Sequence, residues 1–426
     1  RILNSNKKTF DKTLDDLLQD RKRKIQSNSI SVTNIIKDVK KNKDKAVLKY
    51  ERKFNENKII VPDQKQISKS IKSLDLKVKK AIDLAYSRIF KFHALQKIKN
   101  ISYVDKFKNK LDYRYLPLDS VAIYVPGSTV SYPSSVLMNA IPAIVAGGKR
   151  IVMVNPGHKG KQDPAVLYAA SKCKIKEIYS IGGPSAIAAL TYGTNKIKKV
   201  NKIVGPGNLY VAAAKKEVFG DVGIEGMTAG PSEVTVVCDK FSNPEWVASD
   251  LIGQAEHDSL AQCILISKDK KTIEKVKKEV FKQLKDIPRA SVAKKSLISN
   301  GILMNINSDK KIIDVINKIA PEHLELNLKN YKSLVSKIKN AGSICLGKYA
   351  VMAMTDYNVG SNHVLPTNGS ARYSSGISVN EFCKRISYIN LSKKGIESLG
   401  PSVITLANYE GLAGHAQSVK KRIRRK

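Results

Sequence analysis

Ser120-Val-Ala-Ile-Tyr-Val125, then Ser134-Ser-Val-Leu-Met-Asn-Ala-Ile-Pro-Ala-Ile-Val-Ala146, then Arg150-Ile-Val-Met-Val-Asn155: these three runs decide the fold class. The first and third are short, β-branched and apolar at successive positions, as in strands buried on both faces. The middle run is too long for a strand and reads as a buried helix. Its apolar part, Val136 to Gly147, is broken by Asn139 and Pro142, well short of the roughly 20 apolar residues that a membrane-spanning helix requires. Further on, the pattern predicts a helix over 164–172 and a strand over 177–181. A second series predicts strands over 233–238, 262–267 and 301–305, with helices from Pro244, over 271–285 and over 309–319. Strands separated by single helices pair in parallel, so the expected class is α/β, with two doubly wound parallel sheets covered on both faces.

The chain has 426 residues, 42% apolar and 26% charged, enough for more than one packed domain and unlike disordered or fibrous sequences. Residues 1–118 read as mostly helical and lysine-rich, and 377–426 as a helical arm ending in Lys420-Lys-Arg-Ile-Arg-Arg-Lys426. Arms of this type commonly pack on a partner subunit. Cys173, Cys238, Cys263, Cys345 and Cys383 are odd in number, far apart and mostly set in apolar runs. Free thiols of a reducing compartment fit them better than disulfides. With no secretory leader legible, a cytoplasmic location is expected.

The formal net charge of +38 invites a nucleic-acid reading. Its distribution argues otherwise. Lysine is diffuse, with local maxima at Arg21-Lys-Arg-Lys24 and the C-terminal tail, whereas Arg372 is the single basic residue between Lys348 and Lys384. A phosphate-tracking groove concentrates charge. Neither nucleic acid nor membrane is expected as a partner.

Glycine-rich turns fall where strands are expected to end: Val125-Pro-Gly-Ser128, Gly182-Gly-Pro-Ser185, Gly205-Pro-Gly-Asn208 and Ala229-Gly-Pro-Ser232. Ligands of parallel sheets bind at the carboxyl ends of strands, where glycine lets backbone N–H groups approach an anion, although each turn alone is also an ordinary tight turn. No Gly-x-Gly-x-x-Gly fingerprint is present.

Four of the six histidines have an amide or carboxylate close by: Gln254-Ala-Glu-His257, Pro321-Glu-His323, Asp356 through His363, and Glu410-Gly-Leu-Ala-Gly-His415. Imidazole and carboxylate bind zinc and move protons near neutral pH, and four such clusters in a histidine-poor chain point to one assembled site. Asn243 or Ser242 before Pro244 and Glu245 marks a helix start. On that helix Gln254 falls in the apolar stripe of Val247 and Leu251, with His257 on the same side; a hydrogen-bonded core pair fits equally well. Pro321 ends the helix striped by Ile312, Val315, Ile316 and Ile319, leaving Glu322 and His323 in a loop, as a coupled acid–base pair or a surface pair. Thr355 to Gly376 is polar and aperiodic, the kind of long loop that is more often functional than not. Gln254, His257, Asp356 and His415 together supply an amide oxygen, two imidazoles and a carboxylate, which suit zinc with room for a substrate ligand.

Tyr124-Val-Pro-Gly127, Gly205-Pro-Gly-Asn208, Ala229-Gly-Pro-Ser-Glu233, Gln254-Ala-Glu-His257, Ala320-Pro-Glu-His323, Asp356-Tyr through Asn362-His-Val-Leu-Pro366 and Glu410-Gly-Leu-Ala-Gly-His415 follow one another over residues 120–420. In that order they resemble the histidinol dehydrogenase family. The resemblance implies incomplete Rossmann-like domains: an N-terminal arm over 1–25, a catalytic domain of 26–119 and 233–376, an NAD-binding domain over 120–232, and a C-terminal dimerisation arm over 377–426. It implies oxidation of L-histidinol through L-histidinal to L-histidine, the last steps of histidine biosynthesis, with two NAD and one zinc per site. It assigns zinc to Gln254, His257, Asp356 and His415, the substrate completing the shell, proton transfer to His323 and activation of water to Glu322. Ser232, His363 and Glu410 join these in contacting substrate, and Tyr124, Ser185 and Asn208 contact NAD. A homodimer is implied, with Glu410 and His415 reaching the neighbouring chain's site. Gly182-Gly-Pro-Ser185 departs from the family's Gly-Gly-Ala-Gln, so a shorter hydroxyl stands where a glutamine contacts NAD.

Other classes predict different behaviour. A zinc hydrolase with the same ligands works without NAD, and the His-Glu-x-x-His helix that commonly marks one is absent. A nucleic-acid module binds duplexes with steep salt dependence and retains no zinc.

Overall fold

A computed structural model describes residues 1–25, 29–127, 130–157, 161–225 and 230–423, without the side chains of 21–25, 29 and 30. The side chains of Arg21–Lys24, together with Ser128, Ala229 and residues 424–426, lie outside the described part.

The chain opens with a strand, β1 (Ile2–Asn4), and four helices, α1 (Phe10–Ile25), α2 (Ser29–Phe54), α3 (Gln64–Ser73) and α4 (Leu76–Ala94). Asp63 and Asp75 start α3 and α4 by accepting from N–H groups of the first turn. β2 (Ile101–Val104) and β3 (Lys110–Pro117) form an antiparallel pair. Then comes the predicted alternation, β4 (Ser120–Tyr124), α5 (Pro133–Val145), β5 (Arg150–Val154), α6 (Pro164–Lys172) and β6 (Glu177–Tyr179), which continues beyond the reading with α7 (Gly183–Tyr192), β7 (Lys202–Val204), α8 (Leu209–Glu217) and β8 (Gly223–Ile224).

Strands β4 to β8 make a wholly parallel sheet in the order β6-β5-β4-β7-β8. Central β4 is buried at every residue, which its unbroken apolar run predicts. Val121 and Ile123 face a core closed by α3, α4, α5 and α6, while Ala122 and Tyr124 face α2, α7 and α8. Buried apolar residues from Val32 to Ile89, a stretch expected to go with 233–376, thus line the cores on both faces of this first sheet.

The second series runs β9 (Glu233–Cys238), α9 (Pro244–Ala255), β10 (Gln262–Ser267), α10 (Lys270–Gln283), α11 (Ala290–Asn300), β11 (Ile302–Asn305), α12 (Asp309–Ile319), β12 (His323–Asn327), α13 (Lys332–Val335) and β13 (Ser343–Leu346). With β1 it forms a six-stranded parallel sheet, β1-β11-β10-β9-β12-β13. Helices α1 and α12 cover one face and α9, α10 and α11 the other. Asn243, not Ser242, caps α9, accepting from Glu245 N. After α14 (Met352–Tyr357) the chain runs as loop and short turns to β14 (Cys383–Asn390), then α15 (Lys393–Tyr409) and α16 (Ala413–Ile423).

Residues 1–118 are mostly helical, as expected, but also contain β1, which adds to the six-stranded sheet beside β11, and β2 and β3. The 377–426 arm is not all helical, because β14 pairs antiparallel with β3 and with β2 makes a separate three-stranded sheet. These strands are mostly exposed; Leu111, Tyr113 and Tyr115 alternate with Asp112 and Arg114, a strand signal that the lysine-rich surroundings masked. Glu322 and His323 do not lie in a surface loop either. Ala320 ends α12 in a left-handed conformation, and His323 begins the buried strand β12. Likewise the 355–376 stretch begins inside α14. Among the described residues no helix is long and apolar enough to cross a membrane.

Leu14 of α1 is fully buried against the second sheet, where Lys311 and Lys318 of α12 also pair with Asp11 and Asp15. Leu14→Ala is expected to cost about 2–5 kcal/mol, read as a lower urea midpoint. A loss below about 0.5 kcal/mol, the range of an ordinary surface change, counts against docking of this helix.

Candidate active site

Parallel pairing of β9 with β12 sets Val234 opposite His323, so the residues entering the two strands meet. Glu233 N donates to Glu322 Oε2 at 2.7 Å, and Ser232 stands one residue earlier. The carboxyl end of α9 brings Gln254 and, just past the helix, His257. From α14, Asp356 presents Oδ1 3.8 Å from His323 Nε2, which lies 4.0 Å from Glu322 Oε1. His363 Nδ1 is 2.9 Å from the Asp356 carbonyl. A carbonyl only accepts, so Nδ1 carries the proton and Nε2 keeps its lone pair. Ser232 leads into β9, and Glu233 and His323 each begin a strand, so this site lies at amino ends of strands, contrary to the general expectation for parallel sheets.

Burial dominates the electrostatics. It pushes His323 down to about 3, helped by the nearby His363 and His257 rings, and His363 down to about 4. His257 is lowered for the same reason, although the residue is partly open to solvent. Asp356 is pushed up to about 7 by burial. The imidazoles are therefore neutral, in the form that accepts protons or ligates metal.

Gln254 is 1% exposed, yet neither Oε1 nor Nε2 has a partner, and Nδ1 of His323 is equally unpaired. Each buried polar group left so costs about 1–3 kcal/mol and calls for a ligand that the chain itself does not supply. An amide oxygen, imidazoles and a carboxylate fit zinc. Among the described residues no three His, Cys, Asp or Glu side chains are grouped to hold a metal by themselves. A metal here would need the Gln254 amide and a donor from outside this group. Glu410 closes α15 and His415 lies in α16, both exposed, and their backbone bonds stay within the arm. Among the described residues neither bonds to the pocket side chains.

Tyr124, Ser185 and Asn208 all stand at the carboxyl edge of the first sheet. Tyr124 Oη accepts from Gly183 N at 3.0 Å and is pushed up to about 12 by burial. Ser185 is buried and donates to Gly182 O at 2.9 Å and Glu51 Oε1 at 3.3 Å. Asn208 is exposed and caps α8 through Oδ1, leaving its amide nitrogen outward. Gly205 has φ +106°, and a Cβ there would lie 2.2 Å from Tyr124 O, so only glycine fits.

Several supporting residues went unnoticed in the sequence. Glu51, fully buried, accepts from Gly182 N and from the side chains of Asn55 and Asn57. Lys215, also buried, donates to Gly205 O at 2.6 Å. Asp250, one turn before Gln254, and Glu325, two residues after His323, were legible in principle from helical and strand periodicity.

Known proteins are similar to this chain along nearly its whole length. The family model described as histidinol dehydrogenase matches residues 18–423. The histidinol dehydrogenase of Pelagibacter ubique (strain HTCC1062) is 79% identical over 426 residues, all of both chains. That of Nitrosomonas europaea is 43% identical over 397 residues, 92% of each chain. Among solved structures, histidinol dehydrogenase from Elizabethkingia anophelis superposes with a TM-score of 0.91 at 36% identity, covering 99% of this chain and 98% of that one.

The lowered His363 has a consequence for acid stability in metal-free protein. Its ordinary value is 6.5 and its folded value about 4, so between these the unfolded chain binds more protons and stability falls as pH falls. His363→Asn is expected to narrow the gap between urea midpoints at about pH 7.5 and about pH 5. An unchanged gap would show that the ring is not held neutral.

Proposed function

The chain belongs to the histidinol dehydrogenase family, which makes it an oxidoreductase of histidine biosynthesis acting on histidinol, and we propose that it converts L-histidinol through L-histidinal to L-histidine with zinc and NAD. One observation carries the metal reading: the buried Gln254 amide bonded at neither end, on the pocket that also holds a carboxyl and neutral imidazoles. Alcohol to acid is a loss of four electrons, or two hydrides, with one oxygen added from water.

Gln254, His257 and Asp356 would hold zinc, with His415 of a second copy. When bound, the metal orients the substrate, and NAD accepts hydride. His323, neutral because it is buried, accepts the hydroxyl proton, and Asp356 stands near enough to steady the imidazolium formed. Glu322, held by Glu233 N, takes a proton from the water that adds to the aldehyde. Ser232, His363 and Glu410 complete the substrate contacts.

Residues 120–232 form the NAD-binding domain in this reading, with Tyr124, Ser185 and Asn208 at its ligand edge. The Ser185 hydroxyl already serves Gly182 and Glu51, so it contributes less to NAD than an outward glutamine. The catalytic domain of 26–119 and 233–376, between arms over 1–25 and 377–426, is in this reading a functional division and not one of packing, since Val32 to Ile89 line the cores of the first sheet and Leu14 that of the second. The protein acts in the cytoplasm as a homodimer. Support for a second copy is the apolar surface that the C-terminal arm leaves uncovered: Leu406 is 62% and Tyr409 91% exposed.

The decisive measurement is NADH formed per histidinol consumed, expected to be two. Glu322→Gln is expected to slow acid formation about 100-fold or more while alcohol oxidation continues, moving the ratio toward one. No NADH from zinc-loaded wild-type protein refutes the reading. A variant lacking residues 392–426, which keeps β14, is expected to lose zinc and activity together; a fully active truncated monomer would refute sharing of the site.

A further inference from the structure

We infer that Asp250 and Glu325 form a carboxyl clamp, one level beneath the pocket, that positions the site-bearing elements against one another; this rests on the zinc reading above. α9 returns between the parallel strands β9 and β10 and so runs antiparallel to them. Passing along α9 from Asp250 to Gln254 therefore matches passing back along β12 from Glu325 to His323. Four helical residues advance ~6 Å. Two strand residues advance ~6.6 Å, so helix and strand stay in step. Asp250 faces Glu325 at one level, while Gln254 and His323 occupy the next.

Asp250 Oδ2 is buried without a partner, and Glu325 is the carboxyl beside it, so a proton held between the two satisfies both. Glu325 Oε1 also accepts from Met352 N at 2.6 Å, the first residue of α14, which carries Asp356 one turn later. One pair thus ties together α9 with Gln254 and His257, β12 with His323, and α14 with Asp356. Glu325 is 1% exposed, and burial raises both groups, Asp250 to about 6, in keeping with a retained proton. Buried ionisable pairs contribute little stability, and apolar replacements of similar volume are often neutral or stabilising. Positioning, and not stability, accounts for this one.

The test titrates zinc into purified full-length protein against a chromogenic chelator, with melting temperature in parallel. Glu325→Gln keeps the acceptor for Met352 and can donate to Asp250, so affinity stays within about threefold of wild type. The Asp250→Leu/Glu325→Leu pair is expected to melt no lower than wild type yet bind zinc about 10- to 100-fold more weakly. Should the pair fail to fold, Glu325→Met is expected to show the same weakening. Wild-type affinity in a folded apolar variant overturns the clamp alone. Wild-type protein that binds no zinc overturns the metal reading and the clamp with it.

Discussion

Parallel pairing of β9 with β12 is the constraint on which the site depends. It joins segments 89 residues apart and brings Glu233 N onto the Glu322 carboxylate. It also fixes His323 as the first residue of a buried strand, facing Asp356. Closing so long a segment adds little entropy beyond closing a shorter one, and the strands repay that cost with apolar burial on both faces. Pro321 and the left-handed Ala320 end α12 where the strand must start, so one helix stop places both polar side chains.

Burial then sets the chemistry. Histidines that would titrate near neutral pH in water are held neutral, and a carboxyl that would be ionised is pushed up to about 7. The +38 charge of the chain plays no direct part in this. Its lysines are largely solvated, as in Lys49–Asp38 and Lys282–Glu279, where exposed pairs are worth little, and their field is screened within about 8 Å at physiological salt.

The first sheet shows the same economy of buried polar groups used as braces. Glu51 holds the Gly182–Ser185 turn from behind, and Lys215 holds the Gly205–Asn208 turn through Gly205 O. Both turns sit at the carboxyl edge, where the backbone is shaped by glycines that no side chain could replace. Replacement of the expected glutamine by Ser185 removes reach at this edge, because the hydroxyl turns inward to its own turn.

The parallel α/β architecture was legible from residues 120–155 because strands buried on both faces are apolar at successive positions, a signal local to each run. The candidate site residues were legible too, since Gln254, His257, Asp356 and His323 stand in compact motifs. The exposed strands β2, β3 and β14 were not read, because the alternation of Leu111, Tyr113 and Tyr115 is short and stands among lysines. Nor was the burial of Glu322 and His323, the commitment of Ser185 to Glu51, or the pairing of Asp250 with Glu325. What the chain determined alone was which elements form and which side chains can do chemistry. Tertiary structure decided which of those side chains meet and in what charge state, because distance and desolvation arise only when segments far apart in sequence pack together.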